Sequence, residues 1–549
     1  MFSSTCSLFS IFILTLESST AFTAGPLFFH QSTNKHIEKR SNVPLFENSL
    51  DYEDDDFFED EDADLIAQIS QNQIKDLSGS SNRQFNLGYD IILSSFIGSS
   101  GFEEVTDWEY YQTSETNNER RVVEPSPFDP NQPRRTREKS GSVVRLFRGE
   151  LSGRLGSMLR SQGLDNRVLL KEFSGERAIA LAKAEVQSLG RLQSNLCSEL
   201  DEGAKSGEWV STATTRYVMG RVNSSTKDDD ASLLKLMNIL NTKKPPHVTV
   251  LGEMNLSQFF EDDEGDVKNE WYRTLKVAPP KAESLWLVYE YSGISTIGNY
   301  AVPALKRWSS LPLRKGLWGN LVEPPALPPF SERAKYVKSM LKQSLQALQT
   351  LHESDIVHRS IGRNSIILSS VGQDKQEASS PYATVRARLL VKLGDFGFSG
   401  RISDSSNDEE FQIRARTFKL NIIKGASVLE SKSFAIAEDI HALGFVFIAL
   451  LLSSLAAIPK AEYPVPPTDE DSLQRLLKDI FDGDMTEFRD YCNAEEIWTP
   501  VVALLDEKQS AGWKLLERMC LARESVKENL ESGQILTAES LLLSSFFKD

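Results

Sequence analysis

"HRSIGRNSIIL" (residues 358–368) and "KLGDFGFSG" (residues 392–400) are the two stretches on which the reading of this chain turns. Each sets polar, chemistry-bearing side chains beside an apolar run: His358, Arg359, Ser360 and Ser365 in the first, Asp395 in the second. An isolated Asp-Phe-Gly is ordinarily an acidic turn, because both Asp and Gly suit turn backbone. Its meaning depends on what precedes it. Residues 331–360, "SERAKYVKSMLKQSLQALQTLHESDIVHRS", carry Val337, Met340, Leu341, Leu345, Leu348 and Leu351 at helical spacing, so a long helix runs directly into the first loop.

Further out, composition sets limits. The chain has 549 residues, 40% hydrophobic and 25% charged, with a formal charge of -17. Single cores stop growing at roughly 250–300 residues, so this length holds one large soluble domain and substantial additional sequence. A net negative charge argues against general nucleic-acid binding, which needs a basic surface to neutralise phosphates. Cys6, Cys197, Cys492 and Cys520 are too scattered for a close-spaced metal site or a small disulfide framework and read as idle or buried thiols.

The N-terminal end reads as targeting sequence. Residues 1–21 have an apolar core from Leu8 to Leu16 followed by small residues, the order of a signal peptide, although the start carries no Lys or Arg. Residues 22–47 begin with Phe22 and are poor in acids, with His30, Lys35, His36, Lys39 and Arg40. This "STA/FTA" junction resembles the two-part plastid leaders of algae with secondary plastids, which implies a plastid location; ordinary secretion is the alternative. Residues 48–141 read as a largely disordered acidic region and linker: "DYEDDDFFEDEDAD" (51–64) cannot bury a core, and 113–141 mix Pro, charge and polar residues. The acidic run is a solvated segment or a docking tail for a basic partner. On this reading the folded domain starts near Ser142 and continues to residue 549.

Within that domain, "SVVRLFRGELSGRLGSMLR" (142–160) alternates apolar and polar residues around glycines and predicts two short strands joined by a turn. "RVLLKEF" (167–173) follows, and then "GERAIALAKAEVQSLGRLQ", whose Ala, Leu, Lys and Glu content predicts a helix. "PHVTVLGEM" and "LWLVYEYSG" read as further strands, separated by long polar excursions near 193–245 and 255–284. The apolar run in "AEDIHALGFVFIALLLS" falls at the bottom of the membrane-spanning range and reads better as a core helix than as an anchor.

In this order, the pieces from about residue 143 to 549 resemble the eukaryotic-type protein kinase superfamily. The resemblance implies an α+β, bilobal protein-kinase-like fold, with a small β-rich N-lobe and a helical C-lobe, behind a disordered N-terminal region. It implies ATP and Mg2+ as cofactors and the following roles. Gly153 and Gly156 match the second and third glycines of the phosphate-covering hairpin, with Leu151 in place of the first. Lys171 is the phosphate-holding lysine and Glu185 its helix partner, in preference to Glu176. Tyr289 is the gatekeeper, and the backbone of Glu290, Tyr291 and Ser292 contacts the adenine edge. Asp395 is the Mg2+ ligand, His358 and Phe396 join the stack between lobes, and Asp439 ties down the catalytic loop.

The departures bear on activity. Where the family has its catalytic Asp and its metal-binding Asn, this chain has Ser360 and Ser365. A serine hydroxyl has neither the charge nor the pKa of an anionic proton acceptor at pH 7. Asn364 stands one residue early, and Gly362 replaces a phosphate-contacting lysine. Glu430, the nearest match to the glutamate that closes the activation segment, lies too near Asp439, and Ile535 occupies its arginine partner's place. The reading is a nucleotide-binding pseudokinase acting as scaffold or regulator through a protein partner. The alternative is an unconventional Ser/Thr kinase whose catalysis rests on positioning and Mg2+.

Overall fold

The structure is a computed structural model and describes residues 84–109, 134–201, 226–256, 259–260, 266–301, 314–315, 321–322, 328–370, 389–423, 427–457 and 466–548. Its first half builds a six-stranded mixed sheet. β1 (Gln84–Asn86), β2 (Ile91–Glu109), β3 (Arg134–Leu151) and β4 (Arg167–Ser174) are joined by β5 (Val250–Asn255) and β6 (Leu285–Glu290) in the order β1-β5-β6-β4-β3-β2. β1 runs parallel to β5, and the other pairs are antiparallel.

Side chains alternate across a strand, and here both faces are covered. Leu169 and Phe173 of β4, Leu287 and Tyr289 of β6 and Val250 of β5 face an inner core together with Ala178, Ala182, Leu189 and Leu192 of α2 (Glu176–Asp201). Val168 and Leu170 of β4, Trp286 and Val288 of β6 and Phe147 of β3 face an outer core. That outer core is closed by α1 (Gly153–Ser161), α3 (Thr226–Lys243) and α4 (Asp266–Leu275). Trp271 of α4 meets Phe147 edge-on at 5.7 Å and Trp286 at 6.0 Å. With both faces covered, β4 is buried along almost its whole length, its charged Lys171 and Glu172 included.

The inner core continues into a helical half. α5 (Phe330–Glu353) buries the predicted stripe, Val337, Met340, Leu341, Leu345, Leu348 and Leu351. Short ladders flank it: β7 (Arg314–Lys315) with β8 (Leu321–Val322) before it, and after it β9 (Ile356–Val357) with β12 (Gly400–Arg401) and β10 (Ile366–Ser370) with β11 (Leu389–Leu393). Then come α6 (Glu409–Thr417), α7 (Val428–Ser454), α8 (Glu470–Arg475), α9 (Met485–Ala494), α10 (Thr499–Cys520), α11 (Val526–Glu531) and α12 (Ala538–Leu542). Val248 donates its N–H to Leu393 O at 2.9 Å and Leu393 returns one to Pro246 O at 2.9 Å, which ties the sheet to the helical half. Helix and strand are both substantial and the sheet is mixed, an architecture compatible with the α+β class.

Three expectations need correction. The sheet begins at Gln84, not near Ser142: residues 84–109 and 134–141, assigned from composition to a disordered region and linker, are strands. Their charges masked a β-pattern that pairing along β3 makes favourable, with Ile91 opposite Leu151 and Phe96 opposite Phe147. The predicted second strand after Leu151 is the helix α1, because Leu155, Met158 and Leu159 recur at i, i+3 and i+4, and Leu155 and Leu159 are buried. The insert near 255–284 is not a surface excursion alone, since α4 supplies Trp271 to the outer core. The apolar run of α7 lies in a helix with mean hydropathy 2.0 in its most apolar window, of which 89% is buried against the rest of the fold. Among the described residues Cys492 and Cys520 are free and buried. The targeting segments and the acidic run lie outside the described residues.

Two buried histidines make this fold acid-sensitive. Burial, above all, pushes His247 down to about 4, and its Nδ1 lies 2.9 Å from Val248 O. Burial likewise holds His441 well below the ordinary histidine range. An unfolded histidine titrates near 6.5, so between the two values the unfolded chain binds more protons than the folded one. The stabilisation is complete above about pH 6.5 and is lost as pH falls toward the folded values, on the order of 3 kcal/mol for a shift like that of His247. Thermal unfolding midpoints should therefore drop between pH 6.5 and 4.5, and less steeply in His247→Gln; equal slopes in the two proteins would refute this assignment.

Candidate functional site

A buried ion cluster lies where the sheet meets the helical half. Lys171 shares the inner face of β4 with Leu169 and Phe173, and its Nζ donates to Glu185 Oε1 on α2 at 2.9 Å and to Asp395 Oδ1 at 2.8 Å. The ammonium also lies 5.1 Å from the centre of the Tyr289 ring. Burial alone would lower the pKa of Lys171, but Asp395 and Glu185 outweigh it and hold the group above the ordinary lysine value, so it stays charged. Burial and the nearby Glu185 carboxylate raise Tyr289. Lys171 and Glu185 are nearly inaccessible, whereas the Asp395 side chain keeps 23% exposure and is the member of the cluster that reaches solvent. Glu176 sits in the first turn of α2, nine residues before Glu185, and makes no ion pair with Lys171 among the described residues.

Local structure holds Asp395 in place. It has left-handed backbone, φ 61 and ψ 55, at the start of the short 3-10 turn Phe396–Phe398. For a non-glycine residue this conformation is costly and persists only where the surroundings enforce it. They do so closely here: a Cβ on Gly397 would stand 3.0 Å from Leu181 Cβ of α2, and one on Gly394 would stand 2.9 Å from Ile367 Cδ1 of β10. Phe396 is fully buried and tilts against His358 at 5.0 Å, while His358 Nε2 donates to Gly394 O at 2.8 Å.

The 358–365 loop is anchored from beneath by Asp439 of α7. Its carboxylate accepts the backbone N–H of His358 at 2.7 Å and of Arg359 at 2.8 Å, and His352 Nε2 lies 3.1 Å away. Burial would raise the pKa of Asp439, but His352 and these donors keep it below the usual carboxylate value. Arg359 also has positive φ, 62, and its guanidinium reaches Asp408 at 3.2 Å and Ser405 at 3.1 Å. Ser360 is half-buried and brings no carboxylate to the loop. Ser365 is committed locally: its hydroxyl accepts from Gly362 N at 3.0 Å and donates to Gly362 O at 2.9 Å. Asn364 lies against the 297–299 turn, where its Oδ1 would stand 2.5 Å from a Cβ on Gly298, so it is not directed to Asp395. Arg363 forms a forked salt bridge with Glu470 of α8.

At the end of β6, Glu290 donates its N–H to Thr249 O at 3.0 Å, and its carboxylate accepts from Lys392 Nζ at 2.9 Å in a buried pair. The ring of Tyr291 is flanked by Arg167 at 4.7 Å and Arg148 at 5.7 Å. Ser292 is buried, and its Oγ has no hydrogen-bond partner. Glu430 lies in the first turn of α7. Ile535 lines a small hollow with Ser433 and Ala437 of α7.

Gly153 and Gly156 are not brought to Lys171. They open α1, beyond Leu151, whereas Lys171 pairs with Leu146, roughly 16 Å back along β3 at ~3.3 Å per residue. Two glycines that sequence reasoning passed over lie across the sheet from β4. Gly98 pairs with Leu146, which pairs on its other side with Lys171, and Gly101 pairs with Val143. The register of β2 shifts next to both, between Phe96 and Gly98 and between Gly101 and Glu103. The legible signal was a pair of glycines inside the strand-like "IILSSFIGSSGF", which marks a bulge or a close backbone approach. Lys392, the buried partner of Glu290, was also missed, because nothing in its sequence neighbourhood distinguishes it.

No protein-family model matches the chain. Among the described residues no group of three or more His, Cys, Asp or Glu side chains converges as a metal site. A divalent ion at Asp395 would therefore draw most of its oxygen ligands from a bound phosphate and water. Asp439→Ala removes the acceptor of a buried backbone N–H, that of His358, and of a partly buried one, that of Arg359; the buried donor left unpaired costs about 1–3 kcal/mol. The variant should unfold several degrees lower than the parent in a thermal melt, and hydrogen exchange should rise selectively at residues 358–360. An unchanged exchange rate there would show that Asp439 does not anchor the loop.

Proposed function

We propose that this chain is a protein-kinase-like protein of bilobal design that binds a nucleotide and acts as a pseudokinase, a scaffold or regulator for a protein partner. The observation that carries the reading is the Lys171, Glu185 and Asp395 cluster. Lys171 and Asp395 are 224 positions apart in the chain, and the resemblance assigns them to phosphate and metal. Such a buried cation would bind phosphate oxygens by releasing one carboxylate, and the partly exposed Asp395 would turn to a magnesium ion. ATP with Mg2+ would supply a phosphate chain and a divalent charge, and Gly98 and Gly101 would take the place first given to Gly153 and Gly156 as backbone near the phosphates.

The same geometry argues against efficient transfer. Ser360 offers no anionic proton acceptor, Ser365 is bonded within its own loop, and Asn364 is turned toward Gly298. Leu169 stands where the family's third strand has Ala, two residues from Lys171 on the same face, which narrows the room for a base. The unconventional-kinase alternative rests on one observation: the segment after Asp395 is held by Arg359 on Asp408 and Ser405, and phosphoryl transfer depends largely on positioning. The leader supports a plastid location, and a reporter carrying residues 1–47 should be imported, whereas Phe22→Ala should divert it. Identical destinations would remove the two-part leader.

The direct test is a thermal-shift titration with ATP and Mg2+ beside a radiolabel transfer assay. At a ligand concentration about 100 times Kd, binding should add about 2.7 kcal/mol of stability. The shift should vanish in Asp395→Asn, and the parent should transfer no label. Restoring Asp at 360 and Asn at 365 should raise transfer, up to the roughly 10²-fold worth of a positioned base. Label transfer by the parent that depends on Asp395 would establish the alternative, and absence of any nucleotide shift would leave a scaffold without ligand.

A further inference from the structure

Within α10 the chain interrupts its own helix. Glu507 is extended, at φ -52 and ψ 151, and Lys508, Gln509 and Ser510 follow with φ of 54, 63 and 59, all left-handed, before right-handed helix resumes. In this conformation any side chain crowds the backbone, so left-handed residues occur singly, and a run of three is one turn of the disfavoured hand. The turn is also tight: a Cβ on Gly512 would lie 2.7 Å from Leu505 Cα, so the two limbs of α10 meet at a glycine. Backbone of this kind persists only where its surroundings over-determine it, as they do in clamps and switch regions.

Three contacts hold the turn. Before it, Arg489 of α9 forks onto Asp506, at 2.9 Å to each oxygen. At its start, Lys338 Nζ of α5 lies 3.8 Å from Glu507 Oε2. Within it, Lys508 Nζ donates to Ser545 O at 3.4 Å and to Lys548 O. The last two converge on one short segment, because the Lys338 ammonium also sits 4.5 Å from the centre of the Phe546 ring. Phe546 is only 3% exposed and belongs to the inner core, and Phe547 meets it edge-on at 5.3 Å. Residues 544–548 therefore form a strap across α5 and α10. Phe546 is its buried anchor, and its backbone carbonyls receive the lysine that lies inside the left-handed turn.

We propose that residues 544–548 are a latch that, when docked, holds 508–510 left-handed, and whose release lets this turn relax and the chain at 507–512 open. Strap and turn are two parts of one element with two arrangements: withdrawing Phe546 removes both the carbonyls that hold Lys508 and the ring beside Lys338. None of these groups belongs to the Lys171 cluster, so the inference is independent of nucleotide binding.

The test uses the full-length protein in four forms: parent, Phe546→Ala, Gln509→Gly and the double variant. Gln509 is exposed, and glycine adopts a φ of 63 without strain. Gln509→Gly should therefore raise the thermal unfolding midpoint of the parent, by roughly 2 °C. In Phe546→Ala the same change should give less than half that gain, because the turn has already relaxed and glycine then adds only flexibility. Hydrogen exchange at 507–512 should be faster in Phe546→Ala by on the order of tenfold, the relief of strain at about one residue, with β4 at the parent rate. If Phe546→Ala does not fold, Lys338→Met/Lys508→Met withdraws the same holds and leaves the aromatic anchor in place. Half or more of the glycine gain kept on release, a lowered midpoint in Gln509→Gly alone, or unchanged exchange at 507–512 would overturn the latch.

Discussion

A single buried ammonium organises this molecule. Lys171 is taken out of water on the inner face of β4 and is tolerable there only because Glu185 and Asp395 both reach it. Breaking such a cluster by removing one member leaves an uncompensated charge, at about 3–5 kcal/mol. The constraint therefore acts at three places together. It fixes the rotation of α2 so that Glu185 points inward, the register of β4 so that residue 171 faces the helical half, and the left-handed turn that presents Asp395. Packing then agrees with the electrostatics: Leu181 of α2 closes on Gly397, and His358 holds Phe396 and the Gly394 carbonyl.

Asp439 plays a parallel part for the second loop. A buried carboxylate on α7 holds two backbone amides and faces His352, so the positive φ of Arg359 is maintained from below. The loop is held in a fixed shape with Ser360, not a carboxylate, at its centre. Ser365 closes its own turn onto Gly362. On the proposed reading, Lys171 and Asp395 would order a phosphate and a metal while no group of the loop would accept a proton, which is why that reading is of binding without turnover.

Much of this was legible because it rests on short-range rules. The stripe of α5 follows from periodicity, whereas the strands at β4, β5 and β6, the pairing of Lys171 with Glu185 and the place of Asp395 were legible through the resemblance of their motifs to the kinase pattern. What failed depended on partners distant in sequence. β2 and the first part of β3 look like linker because their charges dominate composition, and only mutual pairing makes them strands. Residues 153–161 alternate weakly enough to pass for a strand until Leu155 and Leu159 are seen to bury one helical face. Gly153 and Gly156 lie beyond Leu151 on α1, while Gly98 and Gly101 pair across β3 with Leu146 and Val143, a neighbourhood set by strand pairing that a linker-like stretch does not reveal. Burial of both sheet faces, which Trp271 and α3 complete, was invisible because the inserts that supply it look polar overall.

The central claim is that Asp395 and a nucleotide's phosphates together complete a metal site which neither forms alone. Electron paramagnetic resonance of Mn2+, titrated into the protein with and without a non-hydrolysable ATP analogue, measures this directly. The account predicts a single bound Mn2+ per chain that appears only with the nucleotide and disappears in Asp395→Asn. Protein-bound Mn2+ unchanged by the nucleotide, or retained at full strength in Asp395→Asn, would contradict it.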